Sequence, residues 1–372
     1  MTLDAAQLTQ SLKAESSRLG FAISGACAAV EPAGLSQLHS WLDNGFAGEM
    51  HYVQARKDAY SHPRHVMEGA VSLLMLGMNY QSGIPRTTAA GQGRIARYAW
   101  GTNDYHDLVH RRLKELCKFA RSLDPDMNVR GVVDTAPLLE REFASLAGMG
   151  WSAKNTMLIN RQHGSWFFLA ALLLDRPLEY DTAHATNHCG TCTACLTACP
   201  TDAFESPHVL NAQKCISYLT IEHRSPIPHE LRSGIGDWLF GCDVCQEVCP
   251  WNRKSTVTDE PHFSPIEGNN PIELRSLFSM TDDDFRTRFR KTPLWRSKRR
   301  GILRNAAIVL GNRPDPKNEP ALALGLKDDE PLIRGACAWA LGQHGAADLL
   351  RERLQIETDD VVLDELNFAL DN

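Results

Sequence analysis

What this 372-residue sequence lacks narrows it first. It has no large excess of one charge: 39 Lys and Arg stand against 45 Asp and Glu, a formal net charge of −6. The chain as a whole is not a polycation, so any nucleic-acid contact must come from a local basic patch. The opening "MTLDAAQLTQSLKAESSRLG" has no basic n-region, no apolar h-region and no twin arginine. It reads as an amphipathic helix rather than a signal peptide. No apolar run is as long as a membrane span. "WFFLAALLLD" (166–175) is short, ends in Asp175 and reads as a buried strand. No Gly-x-Gly-x-x-Gly follows a predicted strand and no P-loop is present, so NAD, FAD and ATP have no motif support. A cytoplasmic chain is expected.

Cysteine, by contrast, is concentrated. Eight of the eleven cysteines fall within residues 189–249. Disulfides are rare in a reducing compartment, and metal is the usual reason for such crowding. "HCGTCTACLTACP" (188–200) sets Cys189, Cys192, Cys195 and Cys199 before Pro200. "CDVCQEVCP" repeats the last three positions with Cys242, Cys245, Cys249 and Pro250. The missing first position falls on Leu239, and Cys215 in "KCISYLT" lies upstream to replace it. This is the two-cluster ferredoxin pattern, in which the fourth cysteine of each run reaches the other cluster. The expected ligand sets for two [4Fe–4S] clusters are Cys189, Cys192, Cys195 with Cys249, and Cys199, Cys215, Cys242 with Cys245. Zinc is the competing reading, but zinc sites use paired knuckles rather than a triple run. Cys27, Cys117 and Cys337 lie in apolar patterns and read as core thiols.

Three segments are expected: 1–175, 176–265 and 270–372. The first alternates strand and helix patterns. "AVSLLMLGMNY" (70–80) and "NVRGVVD" (128–134) read as strands. "DYHDLVHRRLKELCKFARSL" (104–123) reads as a helix with Leu108, Leu113, Leu116 and Phe119 inward, and "APLLEREFASLAGMG" as a helix stopped by glycine. Asp134 ends a predicted strand, where α/β sheets place chemistry. It is also a plausible helix N-cap, with Glu140 beyond it. The second segment is rich in turns. In the third, "LRNAAIVLGN" (303–312) and "IRGACAWALGQ" (333–343) share small residues before Leu-Gly, and "LNFALDN" (366–372) is a truncated third copy. The spacing suggests HEAT-like paired helices. Residues 285–304 carry nine Lys and Arg and no acid. Arg286, Arg290, Lys291, Arg296, Lys298, Arg299, Arg300 and Arg304 are candidate nucleic-acid contacts, with Phe289 and Trp295 placed to stack on unpaired bases. "DYHDLV" begins like the Asp-x-His-x-x-Gly loop that ligates cobalt in mutases, but Val109 replaces the glycine.

Six stretches together resemble the epoxyqueuosine reductase family. They are "RYAWGTNDYH" (97–106), "VVDTAPLLERE" (132–142), "GWSAKNTMLI" (150–159), "CISYLTIEHR" (215–224), "GDWLFGCDVCQEVCPWN" (236–252) and "TPLWRSKRRGILRN" (292–305). The resemblance runs along nearly the whole chain. One departure is Ala153, where glycine is expected before Lys154. The resemblance implies an α/β (α+β) cobalamin-binding reductase domain, a ferredoxin-like two-cluster domain and a helical HEAT-like tRNA-binding domain. It implies base-off cobalamin with no protein histidine on cobalt, and two [4Fe–4S] clusters. It also implies a tRNA substrate carrying epoxyqueuosine at the wobble position, a low-potential electron donor and no membrane. Asp134 would be the proton donor, with its pKa raised by an apolar site, and Tyr105 and His106 would assist. Arg97, Tyr98, Trp151, Ser152, Lys154 and Asn155 would line cobalamin. A monomer is expected. The rival readings are a small-molecule cobalamin reductase of the dehalogenase type and a non-catalytic electron carrier.

Overall fold

The computed structural model describes residues 3–371. The amphipathic start folds as α1 (Ala5–Arg18), opened by a capping box between Asp4 and Gln7. Its buried residues Leu8, Leu12 and Ser16 recur every four positions, one per turn. The strands that follow, β1 (Ile23–Ala28) and β2 (Ser72–Asn79), precede helix α2 (Tyr105–Leu123), β3 (Val129–Val132), helix α3 (Glu140–Leu146) and β4 (Phe167–Leu174). The sheet runs β1-β2-β4-β3, with every neighbouring pair antiparallel. Strand–helix alternation therefore yields an α+β sheet rather than parallel βαβ units. Both faces are covered, which is why all eight residues of β2 are buried. α2 buries Leu108, Leu113 and Leu116 and leaves Phe119 partly buried. Gly131 lets it approach β3: a Cβ there would meet Leu113 Cβ at 2.8 Å. The helix read from Ala136 onward is shorter than expected and starts at Glu140. Cys27, Cys117 and Cys337 are buried, and burial pushes the Cys27 thiol up to about 12.

A second apolar core begins where Gln92–Ile95 pairs in parallel with Trp238–Phe240 and antiparallel with Ile272–Glu273. It continues without a break into the stacked helices α4 (Lys298–Asn312), α5 (Pro331–Gln343) and α6 (Asp360–Asp371). The small residues of the repeat set the helix spacing. A Cβ at Gly311 would lie 2.6 Å from the Trp339 ring and 3.0 Å from Ala340. The region between the cysteine runs and α6 is locked by a buried ion pair: Arg232 holds both carboxylate oxygens of Glu365, one at 2.9 Å, and the side chains are 3% and 8% exposed. Among the described residues no helix is long and apolar enough to cross a membrane.

Glu365→Leu leaves the Arg232 charge buried without its partner. It should lower unfolding stability by about 3–5 kcal/mol, read as a drop in the denaturant midpoint at unchanged slope.

Candidate active site and cluster-binding centre

The two cysteine runs fold alike. Cys192 and Cys195 flank the start of a one-turn helix, Ala194–Thr197; Cys242 and Cys245 do the same at Val244–Glu247. The two turns pack together, which carries the fourth cysteine of each run toward the other. Cys189, Cys192, Cys195 and Cys249 line one cavity of about 70 Å³, closed by Ala153 and Trp251. Cys199, Cys215, Cys242 and Cys245 form a second group within electrostatic reach of one another. Burial raises the Cys195, Cys215, Cys242, Cys245 and Cys249 thiols, while backbone N–H groups favour the thiolate: Trp251 and Asn252 at Cys249, Ser217 and Tyr218 at Cys215, Val244 at Cys242. Ala203 N donates to Cys199 Sγ at 3.4 Å. Among the described residues no group of three or more His, Cys, Asp or Glu is arranged to hold a single metal ion. Thiolate donors around a cavity, with N–H groups on the sulfurs, are the donor set of iron–sulfur clusters, so the residues fit two of them.

The loop after β-bridge residues Trp151–Ser152 ties the front sheet to both runs. Lys154 Nζ donates to Gly190 O at 2.7 Å and Cys192 O at 3.0 Å, and Asn155 Nδ2 to Cys245 O at 3.2 Å. The Ala153 methyl group packs with Trp151, Ile159 and Cys249, so the extra carbon faces a cluster wall. Three of the residues expected along cobalamin lie in the interior. Trp151 is 2% exposed and stacks on His184; Asn155 is 3% exposed and serves the cysteine run. Arg97 is 6% exposed, its guanidinium 4.1 Å from the Trp166 ring and 3.5 Å from Glu247. Trp151 Nε1 and Arg97 Nε nevertheless find no hydrogen-bond partner among the described residues. Tyr98 is half-buried and Ser152 exposed.

The acid centre lies where β3 ends and α2 begins. Asp104 caps α2 by accepting from His106 N at 3.0 Å. Its carboxylate also meets His106 Nδ1 at 2.7 Å, while His106 Nε2 meets Asp134 Oδ2 at 3.0 Å. Tyr105 Oη donates to the same Asp134 oxygen at 2.8 Å. The Tyr105 ring is stacked between His106 and Phe168, at 4.0 and 3.9 Å. Asp134 is no helix cap: it sits in the left-handed region at φ 56°, six residues before α3. Glu140 holds it there by accepting from Asp134 N at 2.9 Å.

The charge distribution corrects an expectation. The His106 hydrogen bond holds the Asp134 carboxyl below the usual carboxylate range, outweighing the effect of burial. Burial opposes the charge on His106, but its hydrogen bonds to Asp104 and Asp134, and their charges, raise it to about 9. Burial, then the charge of Asp134, pushes Glu140 up to about 8. At neutral pH the protons therefore reside on His106 and Glu140, and Asp134 is the anion. Asp104, Glu140 and Phe168 were not foreseen as site residues. The Asp-x-His spacing at an N-cap was the available signal for Asp104.

The basic segment divides. Arg304 is 1% exposed and donates to Leu219 O, His223 O and Ser225 O, so it organises the fold and cannot touch a nucleic acid. Phe289, at 2% exposed, is core and cannot stack on a base. Arg299 forks onto Asp328, and Arg296 onto Glu222 at 2.9 and 3.1 Å. Arg286, Arg290, Lys291, Lys298 and Arg300 are exposed, and Lys298 Nζ lies 4.2 Å from the half-buried Trp295 ring. Trp295 and Lys298 line a cavity of about 760 Å³ whose lining also holds Asp328, Asp329 and Glu330, with Arg299 paired to Asp328 and Arg300 to Glu330.

Comparison with known proteins agrees with this geometry. Residues 188–252 match the 4Fe-4S double cluster binding domain, residues 61–135 the family "Epoxyqueuosine reductase QueG, DUF1730", and residues 295–371 HEAT repeats. The epoxyqueuosine reductase of Xanthomonas campestris is 42% identical over 83% of this chain and 88% of its own. That of Pseudomonas aeruginosa is 40% identical over 92% and 96%. A crystal structure of epoxyqueuosine reductase with an epoxyqueuosine-modified tRNA-Tyr stem loop superposes with a TM-score of 0.91, at 30% identity and 98% coverage of both chains. A Bacillus subtilis enzyme with its Asp134 catalytic loop swung out of the active site gives the same values. The fold and thiol sets are those of an iron–sulfur oxidoreductase. The chain belongs to the epoxyqueuosine reductase family.

Cys249→Ala and Cys215→Ala should each remove about four of eight irons and leave the other cluster's absorbance, read by iron assay and electron paramagnetic resonance on anaerobic protein. Loss of all iron from both variants would show that the ligand sets are not separate.

Proposed function

We propose that this chain reduces epoxyqueuosine at the wobble position of tRNA to queuosine, the epoxide oxygen leaving as water. The observation that carries this is the Tyr105–Asp134–His106–Asp104 hydrogen-bonded group in a chain that also holds two thiolate sets. Converting an epoxide to an alkene consumes two electrons and two protons. Breaking the C–O bonds leaves oxygen that departs only when protonated. At rest the transferable proton is on His106, shared with Asp134 Oδ2. Asp134 is 57% exposed. A substrate covering it removes water, raises its proton affinity and makes the carboxyl the acid at the reacting oxygen. Tyr105 Oη and Glu140 keep the carboxylate aimed. Arg56 Nη1 adds a hold on the same loop, donating to Thr135 O at 2.9 Å. The swung-out loop of the Bacillus subtilis relative supports a loop that must be held to work.

Tyr98, Tyr105 and Phe168 form a half-exposed aromatic wall beside Asp134, which fits the flat face of a corrin. Both ring nitrogens of His106 are spent on carboxylates, which supports cobalamin bound with no protein histidine on cobalt. Arg97, Tyr98, Trp151, Ser152, Lys154 and Asn155 are the residues we place along cobalamin. When bound, that cofactor supplies a two-electron nucleophile where ferredoxin-type clusters deliver electrons singly. Arg286, Arg290, Lys291, Arg296, Lys298 and Arg300 are placed along the tRNA backbone. An external low-potential donor reduces the clusters, in the cytoplasm, where thiols stay reduced. One copy suffices, because acid, thiol sets and basic segment all belong to one chain.

Anaerobic, cluster-loaded protein with cobalamin, a low-potential reductant and tRNA carrying epoxyqueuosine should yield a nucleoside lighter by one oxygen, and Asp134→Asn should reduce this by two orders of magnitude or more. Unchanged turnover in Asp134→Asn would remove Asp134 as the acid. The imidazolium is fully present below the ordinary histidine pKa and is lost as pH rises through about 9. Wild-type kcat/KM should therefore fall in that range. His106→Gln should be slower and lack that alkaline limb; a limb that persists would assign it elsewhere.

A further inference from the structure

Tyr52 lies on the short helix His51–Ala55, far in sequence from the basic segment. Its ring is 41% exposed. Two guanidinium groups lie over it, Arg56 at 6.0 Å and Arg296 at 5.8 Å from the centroid. Both flank the catalytic loop. Arg56 holds Thr135 O, and the Arg296 charge is felt at Asp134. Neither cation is exhausted by its protein partner. Arg56 commits Nη1 to Thr135 O and Nε to Tyr52 O, and Arg296 commits Nε and Nη2 to Glu222, leaving Nη2 of the first and Nη1 of the second. Glu222 is itself shared with Arg224, 3.8 Å away, so the patch stays positive. The anions felt at this patch are Glu222 and Asp134, and Asp134 is itself paired with His106. An exposed ring between cations is the chemistry that takes an unpaired nucleotide: the base stacks, and the guanidinium forks receive its phosphate.

We propose that Tyr52, Arg56 and Arg296 form a subsite for the nucleotide next to the modified one in the single-stranded loop. It rests on the tRNA reading above, and fixes the distance between the backbone and Asp134. Tyr52 acts as a positioning residue, through the bound nucleotide. The subsite reads a neighbour, so it engages an unmodified loop as well as a modified one.

The test uses full-length, cluster-loaded protein and two labelled anticodon stem-loops, one with epoxyqueuosine and one with unmodified guanosine, followed by fluorescence anisotropy. Tyr52→Ala should weaken both about tenfold, while Tyr52→Phe stays within about twofold of wild type. Arg296→Gln should weaken both and reduce the slope of log Kd against log salt by about 0.7. In turnover, Tyr52→Ala should raise KM about tenfold and change kcat less than twofold. Wild-type affinity in Tyr52→Ala, equal losses in Tyr52→Phe, or a loss confined to the modified loop would each overturn the subsite. Because binding is read without turnover, a wild type that binds both loops but removes no oxygen would sink the reaction and leave the subsite standing.

Discussion

The arrangement depends on one buried polar knot. Asn252 Oδ1 accepts from Ser165 N at 2.7 Å, and Asn252 Nδ2 donates to Gln246 O at 2.7 Å. Gln246 Nε2 in turn reaches Ser165 O at 3.1 Å and Tyr80 Oη at 3.2 Å. Ser165 leads into the central β4 strand; Gln246 and Asn252 bracket Cys249. The knot thus fixes the second cysteine run against the sheet edge that carries the acid centre. Beyond Tyr80 the contacts are aromatic, through Phe168 at 4.6 Å to Tyr105 at 3.9 Å. A loosely held cysteine run would let the thiol sets drift relative to Asp134. A fully satisfied buried network instead specifies one geometry.

The same economy governs the acid. Keeping Asp134 itself neutral at pH 7 would take a more apolar pocket with no cation beside it. This chain does the reverse: it surrounds Asp134 with donors and stores the proton one residue away. The design keeps the resting loop charged, paired and folded inward. It also links the acid's readiness to the presence of a substrate that displaces water.

What was legible in the sequence was local. Cysteine spacing is set by the reach of a few residues, so it reports its own geometry. The repeat was legible because Gly311 and its neighbours must be small for helices to meet. Strand pairing was not, since alternation of strand and helix patterns is the same for parallel and antiparallel sheets. Nor was the fate of Arg304. It stands among the same run of cations as Arg300, yet α4 is buried all along Gly301–Gly311, and three carbonyls from the 219–225 turn claim its donors. The Asp134 charge was misjudged because its apolar sequence neighbours were visible, whereas His106, twenty-eight residues away, reaches it only through the fold.

The Arg232–Glu365 pair has a consequence for how the protein is made. A ribosome delivers the N-terminal part of a chain first. Arg232 leaves it well before α6, and until Glu365 emerges the guanidinium has no carboxylate and the core around Trp339 and Leu366 stays open. The scaffold behind the thiol sets is thus completed only once α6 (Asp360–Asp371) has been made. A chain stopped before Glu365 would present its thiols on an unfinished frame.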